Sequence, residues 1–177
     1  MSDSTLKLQR LMDVGYLNLR GAASSAEFLA AVAKVTAHAL PVVSNTVVSA
    51  AHDIYWLGPD EWLLVGDSAG ISDLSPALTA AVAAMHASVN DLSGAYVTYR
   101  LSGDNARLLL AKGCSLDLEG SAFSYGACAQ TGLAKANVVL RPLQNNGGVD
   151  IIVRRSFADY VWQWLLRAGL EYRIEVA

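Results

Sequence analysis

The stretch from Asp91 to Gly113, DLSGAYVTYRLSGDNARLLLAKG, changes its hydrophobic period once along its length. Ala95, Val97, Tyr99 and Leu101 alternate with Tyr96, Thr98 and Arg100, which is the period-two pattern of a strand with two unlike faces. Ser102, Gly103 and Asp104 break that pattern. Ala106, Leu109 and Leu110 then recur at helical spacing, and Gly113 is expected to stop the helix because glycine tolerates positive φ. The stretch predicts a strand, a tight turn and a helix, and similar patterns lie on either side of it.

Upstream, residues 1–10 are polar and expected to be loose. Residues 14–20 (VGYLNLR) alternate as a strand. Ser24 or Ser25 can cap the helix that follows, since a serine oxygen satisfies orphan amide donors. Phe28, Val32, Val35 and Ala39 share one face of it, His38 falls in its last turn, and Pro41 ends it. Val42 to Ser49 is rich in β-branched residues and reads as a strand. The runs 54–57 and 62–65 flank Gly58-Pro59-Asp60-Glu61 as a hairpin. Trp56 and Trp62 either stack across this hairpin or face a ligand. Asp73 or Ser75 opens a second helix, with Leu74, Ala77, Leu78, Ala81, Val82 and Met85 on its stripe, and a strand over 88–92 follows.

Downstream, residues 114–132 show neither period, and an uninterrupted loop of that length is often functional. Leu133 to Leu140 reads as a strand. Gln144 to Gly148 reads as a hairpin turn whose strongest element is Asn146-Gly147. Val149, Ile151 and Val153 mark the returning strand. Ser156 and Asp159 form a capping-box-like pair at the start of the last helix. Phe157, Tyr160, Val161, Trp164, Leu165 and Ala168 make its core stripe, Gly169 stops it, and residues 170–176 alternate in a final strand. The last helix also carries Ala158, Trp162 and Leu166 on another face. A surface helix normally shows one apolar stripe. A second stripe containing Trp fits either contact with another chain or internal packing. Trp162, Leu166 and Ala158, with Arg155 beside them, are the candidate partner interface.

The element order predicts an α+β fold of two intertwined ferredoxin-like (βαββαβ) units, with antiparallel sheets and helices packed on one face. The units are residues 1–93, with an extra hairpin, and 94–177, together one shared compact domain. Of the 177 residues 53% are hydrophobic and only 16% charged, which implies a large core or apolar surface reserved for a partner. The net charge of −3 and the absence of a basic tract argue against nucleic acid. The longest apolar run, Ala77 to Met85, is far short of the roughly 20 residues a bilayer needs, so no membrane is expected. The N-terminus lacks a secretory pattern, so a cytoplasmic protein is expected, with Cys114 and Cys128 as reduced, buried thiols.

Recognisable chemistry is sparse. GxGxxG, Walker A, HExxH and GxSxG motifs do not occur, and His38, His52 and His86 are scattered. His52 and Asp53 are adjacent in a strand and so point to opposite faces. The sequence offers no catalytic, cofactor-binding or metal-binding residue to name.

Four segments carry a resemblance: WLGPDEWLLV, VNDLSGAYVTYRLSGDNARLLLAKGCSLDL, ACAQTGLAKANVVLRP and VDIIVRRSFADYVWQWLLRAG. In this order, from about residue 12 onwards, they resemble the gamma subunit of heterotetrameric sarcosine oxidase. That resemblance implies a non-catalytic chain, with no cofactor of its own, packed against an alpha subunit. It implies beta and delta subunits in the same cytoplasmic bacterial complex, FAD, FMN and NAD in the large subunits, and use of tetrahydrofolate. The reaction implied is oxidative demethylation of sarcosine to glycine, hydrogen peroxide and formaldehyde or 5,10-methylenetetrahydrofolate.

More distantly the chain is similar to the folate-binding domain of the glycine-cleavage T-protein, an aminomethyltransferase. Asp91, Ser93, Gly103 and Asp104 match the first parts of its pattern, and Gly132, Leu133 and Ala134 the start of the last. Lys135 and Ala136 stand where that pattern has two aspartates. A lysine is not a proton acceptor at neutral pH as a carboxylate is, so a retained fold with lost chemistry is implied. Two other readings stay open: a stand-alone folate-binding or aminomethyltransferase-like protein, and a self-associating module of ferredoxin-like build.

Overall fold

The structure is a computed structural model that describes residues 5–144 and 147–177. The chain forms two compact units, Asp13–Gly94 and residues 5–12 together with Ala95–Ala177. The first strand, β1 (Thr5–Arg10), therefore belongs to the second unit. This corrects the expectation of a loose N-terminus and moves residues 5–12 out of the first unit. Leu6 and Leu8 alternate with Lys7 and Gln9 and are fully buried, anchoring the strand between β11 and β7.

The first unit contains β2 (Val14–Arg20), α1 (Ala26–Thr36), β3 (Val47–Ser49), β4 (Asp53–Gly58), β5 (Glu61–Asp67), α2 (Ser68–Val82) and β6 (Ser88–Asp91). Its sheet runs β3-β4-β5-β2-β6, every pair antiparallel. Without β3 this is the split βαβ order, with both helices on one face. Leu17, Leu19, Ile54, Trp62 and Leu64 meet Phe28, Val32, Ile71, Leu74 and Leu78 there.

Ser25 caps α1 by accepting the Phe28 N–H at 3.2 Å. The helix ends at Thr36, earlier than Pro41, because Ala37 turns into the left-handed region at φ 58°. His38 and Ala39 thus lie beyond it, exposed. Val42 and Val43 are exposed loop residues rather than strand, since Asn45 adopts φ 59° and the Thr46 hydroxyl donates to the Val43 carbonyl at 2.7 Å. The second helix starts well before Asp73, capped by Asp67, whose carboxylate accepts the Gly70 N–H at 2.8 Å. The cap is the last residue of β5, so strand passes into helix without a loop to announce it. Trp56 lies opposite Trp62 in the hairpin. Trp62 is a core side chain, 5.7 Å from the Phe28 ring and donating its indole N–H to the Pro41 carbonyl at 2.8 Å.

The second unit contains β1, β7 (Tyr96–Ser102), α3 (Ala106–Ala111), β8 (Ala129–Leu133), β9 (Ala136–Pro142), β10 (Val149–Arg154), α4 (Arg155–Ala168) and β11 (Arg173–Val176). Its sheet runs β11-β1-β7-β10-β9-β8. The same split order is present, with β1 inserted between β11 and β7, parallel to the former and antiparallel to the latter. Gly103 makes the insertion possible. It adopts φ 116°, and a Cβ there would lie 2.6 Å from the Thr5 carbonyl oxygen.

Three expectations in this unit change. The strand expected over 133–140 is a hairpin, β8 and β9 turning at Ala134 (φ 53°) and Lys135. Gly113 has no positive φ; a Cβ on it would lie 2.4 Å from Trp164 Cζ2, so the residue serves close packing. The last helix begins at Arg155, whose N–H donates to the Ala95 carbonyl at 2.8 Å, one residue before the expected Ser156 cap. Asn145 and Asn146 of the expected hairpin turn lie outside the described residues, as do residues 1–4.

The aperiodic segment after α3 is anchored. Cys114, Leu118, Phe123 and Cys128 are buried, and neither cysteine is in a disulfide. Arg107 holds the segment twice, donating to the Leu118 carbonyl at 2.7 Å and lying 5.6 Å from the Phe123 ring centroid. Among the described residues no helix is long and apolar enough to cross a membrane.

Candidate functional site

The last helix buries most of the core stripe its spacing predicts and also turns its second stripe inward. Ala158, Val161 and Leu165 are buried, and Trp162, Trp164, Leu166 and Ala168 pack against the core of the second unit. The Trp162 ring lies 5.1 Å from that of Tyr99. Ala158, only 4% exposed, has no surface to give a partner, and Trp162 and Leu166 spend most of theirs internally. Phe157 and Tyr160, expected in the core, are 42% and 38% exposed. The bond from Arg155 to Ala95 fixes the helix's rotation about its axis, which periodicity alone leaves undetermined. Arg155 itself is exposed.

The other face of the six-stranded sheet carries the polar chemistry. Period two sends Val149, Ile151 and Val153 to the helix side and Asp150, Ile152 and Arg154 to the opposite side. Asp150, 3% exposed, accepts two hydrogen bonds from Arg100, at 2.7 Å from Nε and 2.8 Å from Nη2. Arg141, also buried, faces Asp150 across β10 and β9. Farther along the same face lies an open cavity of about 400 Å³, lined by Tyr96, Gln130, Gly132, Asn137, Val139, Ile152 and Arg154, among others. Ile152 and Val139 are buried and form an apolar floor, while Gln130, Asn137 and Arg154 are exposed at its rim. The Arg154 guanidinium lies 5.6 Å from the Tyr96 ring centroid, and among the described residues no carboxylate lines the cavity. Among these residues the sequence singled out Gly132 alone, through its match to the T-protein pattern, and not as part of a cavity. Its available signal was the alternation of Gln130, Gly132, Asn137 and Val139, legible only once 129–142 is recognised as a hairpin.

The positions matching the T-protein pattern are structural. Asp91 and Ser93 form a turn at the end of β6. The Ser93 N–H donates to Asp91 Oδ1 at 2.8 Å, and Ser93 Oγ accepts the Tyr16 N–H at 3.1 Å. The Ser93 hydroxyl and N–H hold the Asp91 carboxyl below the usual carboxylate range, by stabilising the charged form. Gly103 and Asp104 lie in the turn before α3. Gly132 and Leu133 end β8, Lys135 is exposed in the hairpin turn, and Ala136 is buried.

Elsewhere, Arg20 pairs with Asp60 at 2.9 Å and Glu61 at 3.5 Å beside a cavity of about 370 Å³ that His86 also lines. The pairs are solvent-exposed and worth little. His52 lies against Gly66 and Gly70, away from His38 and His86 in the chain, and no group of three or more metal-ligating side chains occurs among the described residues.

This geometry defines an α+β chain with the fold of the aminomethyltransferase folate-binding domain. In fold it is similar to the glycine cleavage system aminomethyltransferase T from Bartonella henselae, with a TM-score of 0.70 at 17% identity over 97% of this chain and 47% of that one. The match to the sarcosine oxidase gamma subunit family covers residues 20–171, and the chain belongs to that family. It is 31% identical to the sarcosine oxidase subunit gamma of Corynebacterium sp. (strain P-1), over 97% of this chain and 83% of that protein. It is also similar to a chain of the heterotetrameric sarcosine oxidase from Corynebacterium sp. U-96, with a TM-score of 0.87 at 30% identity over 97% of this chain and 88% of that chain.

Proposed function

We propose that this chain is the gamma subunit of a heterotetrameric sarcosine oxidase, a non-catalytic subunit packed against the alpha subunit with beta and delta in the same cytoplasmic complex. The observation that carries this reading is the likeness, in sequence and fold together, to a chain of a heterotetrameric sarcosine oxidase over nearly the whole length. FAD, FMN and NAD would reside in the other subunits. The assembled enzyme would demethylate sarcosine to glycine, hydrogen peroxide and formaldehyde or, with tetrahydrofolate, 5,10-methylenetetrahydrofolate. The role of this chain is then structural: it offers surface to its partners, and the exposed Phe157 and Tyr160 on α4 are candidates for part of that surface.

The test is to tag the chain, express it in its native host and purify what accompanies it. Large flavin-bearing chains with sarcosine oxidase activity are expected. Recovery of the chain alone, while the host's oxidase is intact, overturns the reading. The alternative, a stand-alone folate-binding or aminomethyltransferase-like protein, is disfavoured by Lys135 and Ala136 at the carboxylate positions. Tetrahydrofolate binding by the isolated chain in calorimetry would revive it.

A further inference from the structure

We infer that β11 is a self-association edge: two copies of this chain pair their β11 strands antiparallel about Ile174 and join their six-stranded sheets. Three features carry this. The first is the open edge. β11 is the outer strand of its sheet and runs parallel to β1, with Leu6 beside Ile174 and Leu8 beside Val176. The Ala177 N–H donates to the Leu8 carbonyl at 3.0 Å. Along β11 the residues that bond β1 alternate with those that do not. Glu175 and Ala177 therefore turn backbone groups toward β1, while Ile174 and Val176 turn theirs outward. Such an edge is a template for another strand.

The second is charge. Edge charges usually repel a second strand. β11 instead carries one charge of each sign, Arg173 and Glu175, two residues apart and so on one face. Both are exposed, and neither forms an ion pair among the described residues. With Ile174 opposite Ile174 of a second copy, Arg173 of each strand lies opposite Glu175 of the other, and two pairs of opposite charge form together. Sliding one strand by two residues sets Glu175 opposite Glu175, and like charges directly opposite are destabilising. The charges thus select one register. The other edge strands lack this self-complementarity: β8 (AQTGL) and β3 (VVS) carry no charge, and β6 (SVND) carries only Asp91.

The third is the apolar face. Ile174 packs partly on its own core, while Val176, on the same face, is 58% exposed. In the Ile174 register each Val176 comes beside Tyr172 of the second copy, an aromatic–β-branched pair of the kind that stabilises sheets. Lys112 lies 4.9 Å from the Tyr172 ring centroid and holds that ring in place. The two Ile174 residues exchange both backbone bonds, and a two-fold contact of this kind closes at a dimer. The contact is small and exposed ion pairs add little, so the dimer is weak, and its charges set register more than strength. An unrelated strand would satisfy the edge backbone but not this charge register, which is why a second copy is the occupant that fits all three.

The experiment uses the full chain. Sedimentation velocity over a concentration series compares wild type, Arg173→Glu, Glu175→Arg, the double variant that exchanges the two charges, and an equal mixture of the two single variants. Wild type is expected to show a concentration-dependent dimer. Each single variant sets like charges opposite each other twice and should weaken that dimer about tenfold or more. The mixture and the double variant should restore it. Both positions are exposed, so the fold should be unaffected, which the thermal midpoint of each variant checks. Hydrogen exchange on the wild type is an independent readout. The amides of Ile174 and Val176 should gain protection as concentration rises, and that of Glu175, which faces β1, should not. A wild type that stays monomeric over its soluble range, with no such gain in protection, overturns the inference. So does a dimer that the single variants leave intact, or one that exchanging the charges does not bring back. The subunit reading survives each of these results, because co-purification with the large chains tests it separately.

Discussion

Replacing Asp150 by Ala tests whether the buried charges on the sheet face hold the second unit together. Asp150 has 5% of its side chain exposed and accepts both hydrogen bonds of the Arg100 fork, while Arg141 lies opposite it on the neighbouring strand. Removing one partner of a buried ion pair typically costs about 3–5 kcal/mol, because the remaining charge loses its compensation. Arg100 is 39% exposed and can partly rehydrate, which discounts that figure to about 2–3 kcal/mol. At about 2–4 °C per kcal/mol for a chain of this size, the thermal midpoint should fall by about 4–12 °C. The assay is thermal and urea unfolding of wild type, Asp150→Ala, Asp150→Leu, Arg100→Met and the double variant Arg100→Met/Asp150→Leu. The double variant should recover part of the loss, since the two apolar side chains need no compensation while the buried Arg141 still faces position 150. A shift below about 1 °C for Asp150→Ala, or additive effects in the double variant, would refute the coupling between these charges.

Gly113→Ala drives a methyl into the indole of Trp164 and should cost about 1–3 kcal/mol as overpacking; urea midpoints check this, and Gly113→Ala with Trp164→Leu should restore part of it. Ser93→Ala removes a donor that stabilises the ionised Asp91, so the Asp91 titration should move up toward the ordinary carboxylate range in a carboxyl-detected NMR titration. Because the folded carboxyl titrates below its unfolded value, the stability it contributes is present above the unfolded value and lost as pH falls through the folded one. Acid unfolding should therefore be less steep in Ser93→Ala. Trp162→Glu should destabilise the fold itself, because the indole packs against Tyr99 and the core. Phe157→Ser combined with Tyr160→Ser should leave the thermal midpoint within about 1 °C of wild type but weaken co-purification with the partner subunits. Equal thermal loss in both variants would show that the α4 face is misassigned.

Much of the fold lay in local pattern. The alternation in 14–20 and 149–153, the helix capped at Ser25, the hairpin around Pro59 and the repeated order of strands and helices follow from side-chain period and turn chemistry, which neighbours along the chain impose by themselves. The ordered set of motifs likewise carried the resemblance to the sarcosine oxidase gamma subunit. Three features depended on contacts between distant residues. β1 is a strand because two leucines find a slot between β7 and β11, and no property of residues 5–10 alone reveals that slot. The rotation of α4, and with it the exchange of Ala158 and Trp162 for Phe157 and Tyr160 at the surface, is fixed by the Arg155–Ala95 bond and the Tyr99 ring, whereas helical spacing only says that two apolar stripes exist. The cavity and its Arg154 come into being where four strands lie side by side. Periodicity is a property of the backbone's own geometry and is written along the chain; the choice of which face meets what is made by partners far away in sequence, and only the folded structure records it.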